Sequence, residues 1–173
     1  MDIDESSIED AELMTGTLLS DTHYPDPLAL ERQVCFALVV AARSVLSIYR
    51  PLLEPMGLTH PQYLVMLALW GESPLSVGDI GSLLDLDTPT LSPLLKRLAS
   101  AGLITRTRSE EDERKVNVGL TQQGRDLRQL ALKVPPAIVA QLGIPIPELE
   151  LLHAALTKVI TASHAVGTMD AAH

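Results

Sequence analysis

Apolar residues recur every three or four positions along most of this chain, and this spacing predicts a mainly α-helical protein. A first long helix is expected to begin at Asp26-Pro27, where a capping residue precedes a proline at the first helical position. It should reach about Arg50, because Pro51 and Pro55 then kink or end it. The apolar stripe along this helix consists of Val34, Leu38, Ala41, Val45 and Ile48.

Two capping boxes mark the starts of the next helices. Thr59-x-x-Gln62 opens a helix that should stop near Gly71. Ser76-x-x-Asp79 opens a short helix that should run through Leu84. In both motifs a hydroxyl and a second polar side chain can satisfy backbone N–H groups that the helix itself leaves free.

A further short helix follows after a tight turn. Thr88 is expected to cap it, with Pro89 at the first helical position and Gly102 at its end. Two short helices joined by a tight turn are typical of a helix-turn-helix. The buried face of the second helix is expected to consist of Leu91, Leu94, Leu95 and Leu98.

Two alternating runs, Leu103–Arg108 and Val116–Leu120, flank a charged loop and predict a β-hairpin. A hairpin directly after a helix-turn-helix is a wing. Thr121 should then cap a helix that breaks at Pro135-Pro136, and prolines at 145 and 147 precede a last helix. The expected fold class is mainly α with a small β-hairpin wing: a winged helix-turn-helix flanked by long dimerisation helices.

The net charge of −9 is distributed unevenly along the chain. Nine of the 22 acidic residues lie among residues 1–31, which hold no Lys or Arg, so the other 13 acids balance the 13 bases. The expected organisation is an acidic, flexible tail (1–25), a folded region (26–166) and a flexible C-terminus (167–173). The overall acidity does not exclude nucleic-acid binding, because a local basic patch decides it.

The single cysteine, Cys35, excludes an intrachain disulfide and a four-cysteine metal site, and neither metal nor cofactor is expected. The acidic start is unlike a signal peptide. The apolar run Val34–Ala42 is far shorter than the ~20 residues of a membrane span. These features predict a cytoplasmic protein without membrane contact. A lone thiol on a helix can be either an inert packing residue or a reactive sensor.

The second helix of the helix-turn-helix presents a polar face opposite its leucines. Its small polar residues can approach base edges in the major groove, whereas Lys96 and Arg97 would hold phosphates. The alternative is an ordinary solvated helix face. The candidate DNA-binding residues on this helix are Thr88, Thr90, Ser92, Pro93, Lys96 and Arg97.

The wing strengthens the prediction of a DNA-binding surface. Arg106 and Arg108 lie on one arm of the hairpin, and Arg114 lies where the other arm begins. We expect Asp112 to pair with Arg114 and to aim its guanidinium into the minor groove. The alternative is an ordinary charged hairpin tip. The expected partner is double-stranded operator DNA, pseudo-palindromic if the protein is a two-fold dimer.

Residues 91–124, with the wing tip Asp112-x-Arg114 and the run Leu120-Thr121-x-x-Gly124, resemble the recognition helix and wing of the MarR family of dimeric bacterial repressors. Upstream, Gln33–Leu38, Tyr49–Leu53 and Thr59–Leu64 resemble the organic hydroperoxide resistance regulators of that family. The resemblance covers about residues 28–165. It implies a homodimeric repressor, not an enzyme, that organic hydroperoxide releases from DNA.

The resemblance also implies that Cys35 is the peroxide-sensing residue and that tyrosines of the partner subunit support its thiolate. One of these maps onto Tyr49; the second falls at His60, a departure from the family pattern. Tyr49 lies 14 positions after Cys35, about 21 Å along a continuous helix, so any contact requires a second, antiparallel chain. Because no resolving cysteine exists, oxidised Cys35 would form a mixed disulfide with a small thiol or a sulfenamide, or become overoxidised.

Two other functions remain open at this stage. A repressor of the same fold could be released by a small aromatic or lipophilic ligand, with Cys35 passive. A thiol peroxidase could use the same cysteine for turnover, with the basic surface incidental. The response of a Cys35→Ser variant separates the first alternative from peroxide sensing.

Overall fold

The computed structural model describes residues 28–30, 33–108, 112 and 115–170, with side chains as far as residue 165. The chain divides into two units, residues 1–43 and 44–173. The expected acidic, flexible tail (1–25) lies outside the described residues. The elements in chain order are α1 (Val34–Leu53), α2 (His60–Gly71), β1 (Leu75–Ser76), α3 (Val77–Leu84), α4 (Thr88–Ser100), β2 (Ile104–Arg108), β3 (Val116–Leu120), α5 (Gln122–Ala131), α6 (Val134–Leu142) and α7 (Ile146–Asp170).

Helix α1 begins later than the sequence predicted. Among the described residues before Val34, none is α-helical. The Gln33 N–H donates to the Leu30 carbonyl at 3.1 Å, a three-residue spacing that interrupts the four-residue spacing of an α-helix. The Gln33 carbonyl then accepts from the Ala37 N–H at 3.1 Å, which starts the regular helix. Cys35 consequently lies in the first turn of α1, not two turns inside it.

Helix α1 also ends later than predicted. It continues through Pro51 to Leu53, and a 3₁₀ turn over Glu54–Met56 follows. Pro51 removes only one helical hydrogen bond and its ring is exposed, so the helix accommodates it. Gly57 ends the segment with φ of 65°, and its N–H donates to the Glu54 carbonyl at 2.9 Å.

Both predicted capping boxes are confirmed. The Gln62 side chain accepts from the Thr59 backbone N–H at 2.8 Å and fixes the start of α2, which ends at Gly71 as expected. The Ser76 hydroxyl accepts from the Asp79 N–H at 3.1 Å, and the Asp79 carboxylate accepts from the Ser76 hydroxyl at 2.7 Å. These short-range bonds place α3 immediately after β1.

The winged helix-turn-helix is confirmed, with one strand more than the sequence predicted. Strand β3 lies between β1 and β2 in an antiparallel sheet, with Leu75 opposite Val118 and Arg106 opposite that same valine. Leu91, Leu95 and Leu98 of α4 are fully buried, as their spacing predicted, whereas Leu94 is only partly buried and packs against the core. Burying each leucine contributes about 1.5–3 kcal/mol, and this holds α4 against α2, α3 and β2.

The prolines of the C-terminal part begin helices instead of breaking them. Helix α5 already ends at Ala131, and Pro135-Pro136 lie in the first turn of α6. Pro147 likewise lies at the start of α7, not before it. A proline fits the first turn because its missing N–H has no helical acceptor there.

Long stretches of apolar helix surface are left uncovered. On α1, Val34, Phe36 and Val39 are 67%, 40% and 47% exposed, and on α7 Leu151 and Ile160 are 72% and 53% exposed. Exposed apolar surface of this kind marks an interaction site. The expectation of long dimerisation helices agrees with this exposure.

Among the described residues, the helical stretch Val34–Met56 is long and apolar enough to cross a membrane, with a mean hydropathy of 1.5. The pair Gln122–Leu142 and Ile146–Ala165 reaches this criterion only as one span bent by 100°. Both stretches contain charged residues, among them Arg43 and Arg50 in the first. Length and composition alone also fit a helix whose apolar face packs against another protein surface.

Candidate nucleic-acid interface and thiol site

The start of the recognition helix α4 is fixed by Asp87, not by Thr88 as the sequence predicted. The Asp87 carboxylate accepts from the Thr90 N–H at 3.0 Å, and Thr88 is the first helical residue. The hydrogen bonds from Thr90 hold the pKa of Asp87 below its ordinary value. The sequence signal was available, because aspartate is a better N-cap than threonine.

The polar face of α4 is open to solvent, opposite its buried leucines. Thr90, Lys96 and Arg97 are exposed, and Ser92 is half-buried. The helix runs unbroken through the exposed Pro93. The side chains assigned to DNA on this helix therefore share one accessible face that begins at its N-terminus.

Arg106 and Arg108 lie on the exposed part of β2 at alternate positions, so both project from the same face of the hairpin. The Lys115 N–H donates to the Asp112 carbonyl at 2.8 Å, which closes the described end of the wing. Arg114 lies outside the described residues. Its predicted pairing with Asp112 and its role in the minor groove therefore remain predictions.

Tyr49 and His60, which the resemblance assigns to the support of the thiolate, lie next to each other. Their rings meet edge to face, with centroids 4.8 Å apart and an interplanar angle of 72°. Both side chains are half-buried, and burial raises the pKa of Tyr49 and lowers the pKa of His60. Both pKa shifts favour the uncharged forms, the phenol of Tyr49 and the neutral imidazole of His60.

Two further aromatic residues hold this pair in place. The buried Tyr63 packs against Tyr49, with ring centroids 6.1 Å apart, and meets Trp70 edge to face at 6.2 Å. The Trp70 indole N–H donates to the Gly124 carbonyl at 2.8 Å. A chain of ring contacts thus ties the Tyr49–His60 pair to the start of α5.

An open cavity of about 640 Å³ lies beside His60. Its wall is largely apolar, with Leu46, Leu53 and Leu58, while Arg50 and Glu54 supply charges. A cavity of this size and character suits a small organic molecule.

Cys35 is a free, exposed thiol in the first turn of α1. The free N–H groups and dipole of a helix N-terminus favour a negative charge, so the position of Cys35 favours its thiolate. Cys35 belongs to the first unit of the chain, whereas Tyr49 and His60 belong to the second.

Within the described ranges, no three His, Cys, Asp or Glu side chains are grouped so as to hold a metal ion. An ion pair joins His164 on α7 to Asp85 in the turn of the helix-turn-helix, with 3.0 Å between Nε2 and Oδ2. Both partners are largely exposed, so the pair stabilises the fold little.

Comparison with known proteins agrees with this geometry. Residues 47–129 match the family described as transcriptional regulator SarA/Rot. The organic hydroperoxide resistance transcriptional regulator of Bacillus subtilis (strain 168) is 41% identical over 139 residues, which cover 80% of this chain and 95% of that protein. The chain belongs to the MarR family of transcriptional regulators. Its relatives are transcription regulators and not enzymes.

Two solved structures that are similar to this chain contain a protein bound to DNA. Reduced AbfR of Staphylococcus epidermidis bound to DNA is 33% identical to this chain, covers 77% of it and 93% of its own length, and superposes with a TM-score of 0.65. Overoxidised AbfR bound to DNA gives the same identity and coverage, with a TM-score of 0.64. The winged helix-turn-helix of this MarR-family chain is thus the fold of proteins that have been solved on DNA.

Sequence reasoning missed two features of the site in this MarR-family chain. Strand β1 was not predicted, because two residues are too few to show a periodic pattern, although it pairs with β3 at the base of the wing. Asp87 was not predicted as the cap of α4, because Thr88 directly precedes Pro89.

Proposed function

We propose that the protein is a DNA-binding repressor that senses organic hydroperoxides by oxidation of Cys35 and then releases its operator. The observation that carries the proposal is the 41% identity to an organic hydroperoxide resistance regulator over most of both chains. The exposed Cys35 in the first turn of a helix supports it, because a sensing thiol needs access and a stabilised thiolate.

DNA binding rests on the shared exposed face of α4 and on the wing. Thr88, Thr90, Ser92 and Pro93 would approach base edges, while Lys96 and Arg97 hold phosphates. Arg106, Arg108 and Arg114 would follow the backbone and the minor groove from the wing, with Asp112 orienting Arg114. A homodimer would present two such surfaces to the half-sites of a pseudo-palindromic operator, and the uncovered apolar faces of α1 and α7 supply surface for its interface.

The sensing step is a nucleophilic attack by the Cys35 thiolate on the terminal peroxide oxygen. The S–O bond forms as the O–O bond breaks, and the alkoxide leaves as an alcohol after taking a proton, so the sulfur becomes a sulfenic acid. A small cellular thiol would then form a mixed disulfide with Cys35 and release water. Sulfenamide formation and overoxidation are the other two fates of a sulfenic acid that has no resolving cysteine.

Tyr49 and His60 of the partner subunit would support the thiolate. The tyrosine offers an O–H donor, and the histidine, kept neutral by burial, offers a single N–H donor. Their edge-to-face contact orients the two rings relative to each other. His60 would thus replace a family tyrosine as an uncharged hydrogen-bond donor.

Operator release tests the proposal directly. The reduced protein should bind its own promoter DNA, lose it on addition of a stoichiometric organic hydroperoxide, and regain it after treatment with a thiol reductant. The readout is fluorescence anisotropy of a labelled promoter fragment. Tight binding that hydroperoxide leaves unchanged would contradict peroxide sensing, and a reduced protein that does not bind would contradict the repressor itself.

Stability should respond to pH through His60. Burial puts its folded pKa below the ordinary 6.5, so the unfolded state binds more protons and the free energy of unfolding falls as pH drops from about 6.5 towards the folded pKa. A His60→Tyr variant lacks this loss. The Tm of the variant minus the Tm of the wild type should therefore increase as the pH falls from about 7.5 to about 5.5. A Tm difference that stays constant with pH would contradict the lowered pKa of His60, since the other histidines are common to both proteins.

The cavity beside His60 favours one second candidate. A small aromatic or lipophilic ligand in its apolar wall could release a repressor of the same fold while Cys35 stays passive. A cytoplasmic location follows from either form of the proposal, because the operator of a bacterial repressor lies there.

A further inference from the structure

A cleft of about 370 Å³ lies between the wing and the first turns of α4. Thr88 and Ser92 of the recognition helix form one wall, and Arg106 and Lys115 of the hairpin form the other. Ser76, at the end of β1, lines it as well. The cleft therefore joins the two elements to which DNA binding is assigned, and it holds one residue, Lys115, to which no role has been given.

Two of the side chains that line this cleft are positively charged. Arg106 and Lys115 are both exposed and supply these charges from different parts of the hairpin. Asp79 is bonded to the lining residue Ser76: its carboxylate accepts from Ser76, and its pKa is held low mainly by these bonds and further by the charge of Lys115. Asp79 therefore opposes the positive charge of Lys115.

We propose that this cleft binds one backbone phosphate of the operator, with Lys115 as a phosphate-binding residue. This inference rests on the proposed function, since it presupposes DNA on the face of α4 and the wing. The Arg106 guanidinium and the Lys115 ammonium supply the positive charge that a phosphate requires. A DNA strand that leaves the groove read by α4 and passes under the wing must cross this cleft, which favours a phosphodiester over a free anion.

Lys115→Gln is the test, with Lys133→Gln as its matched control at an exposed position between α5 and α6. Each phosphate neutralised contributes about 0.9 to the slope of log affinity against log salt. Lys115→Gln should lower the magnitude of this slope by about 0.9 and weaken binding about tenfold at low salt. The factor should be equal for operator and unrelated DNA, because a phosphate carries no sequence. Lys133→Gln should leave both quantities unchanged.

Two further measurements sharpen the assignment. Asp79→Asn keeps an oxygen that accepts the Ser76 bonds but removes the opposing charge, so it should strengthen binding to both DNAs. A scan of single neutral methylphosphonates along the operator should reveal one position that weakens the wild type and leaves Lys115→Gln unaffected. That position identifies the phosphate in the cleft.

The outcomes separate this inference from the proposed function. If the wild type binds no operator, the proposed function fails. If the wild type binds and Lys115→Gln keeps the salt slope of the wild type, the proposed phosphate site is wrong, while the proposed repressor function is unaffected. A loss of affinity confined to the operator sequence would also contradict the phosphate site, since it would indicate that Lys115 reads a base.

Discussion

A Cys35→Ser protein is expected to remain on its operator at hydroperoxide concentrations that fully release the wild type. Serine keeps nearly the size of cysteine, and its hydroxyl is not ionised at neutral pH, so the attack on the O–O bond is lost while the fold is kept. Because Cys35 is exposed at a helix start, the exchange should leave the Tm and the affinity for DNA almost unchanged. The measurement is operator anisotropy titrated with an organic hydroperoxide.

A control with a displaced thiol shows whether position matters as well as chemistry. In the Cys35→Ser background, Ser47→Cys restores one exposed thiol per chain on the same helix α1, about three turns further along. We expect this double variant to be unresponsive. A Cys35→Ser protein that hydroperoxide still releases would refute the redox switch. Retained release by a small aromatic or lipophilic ligand, with peroxide ineffective on the wild type, would favour the cavity beside His60 as the sensor.

Features determined by neighbouring residues were predictable from the sequence. The two capping boxes at Thr59 and Ser76 depend on bonds three residues apart, and both form as expected. The buried leucines of α4 follow from helical periodicity alone. The positive φ of 72° at Gly102 likewise follows from its place just beyond the last turn of α4.

Features determined by distant residues were not predictable in the same way. Strand β1 exists only because Leu75 pairs with Val118, more than forty positions away. The start of α1 depends on the Gln33–Leu30 hydrogen bond. The capping residue and proline at Asp26-Pro27 did not indicate this later start. That error mattered for function, because it hid the place of Cys35 at a helix N-terminus.

The candidate thiol site shows the same division. The resemblance placed Tyr49 and His60 in one site, and their rings do meet at 4.8 Å. No pattern in the sequence indicated that Tyr63 and Trp70 extend this contact to α5, because these residues come from separate turns of α2 and meet a backbone carbonyl far along the chain. The place of Lys115 beside the recognition helix follows only from the three-dimensional structure, which puts it in the cleft with Thr88 and Ser92.

A Gly124→Ala variant is expected to be the most damaging glycine-to-alanine change among the described residues. An added Cβ at this buried glycine would collide with the Leu103 carbonyl oxygen and lie 3.1 Å from its carbon and 3.3 Å from the Leu120 side chain. The oxygen cannot move aside, since it accepts from the Thr121 N–H and hydroxyl, each at 3.1 Å. Helix α5 must therefore shift away from the hairpin.

That shift would disturb the packing and loosen two hydrogen-bonded contacts. Overpacking costs about 1–3 kcal/mol, and weakening the Thr121 cap of α5 costs about 1 kcal/mol more. Since the Trp70 indole donates to Gly124, the aromatic chain behind Tyr49 would lose its anchor. We expect a loss of about 3 kcal/mol, or about 6–12 °C in Tm. Gly71→Ala is the control, because nothing lies within 4 Å of its added Cβ and it should be neutral or slightly stabilising. Equal Tm values for the two variants would show that α5 can move away from Leu103 freely, and the rigid coupling of the wing to the aromatic chain would then be wrong.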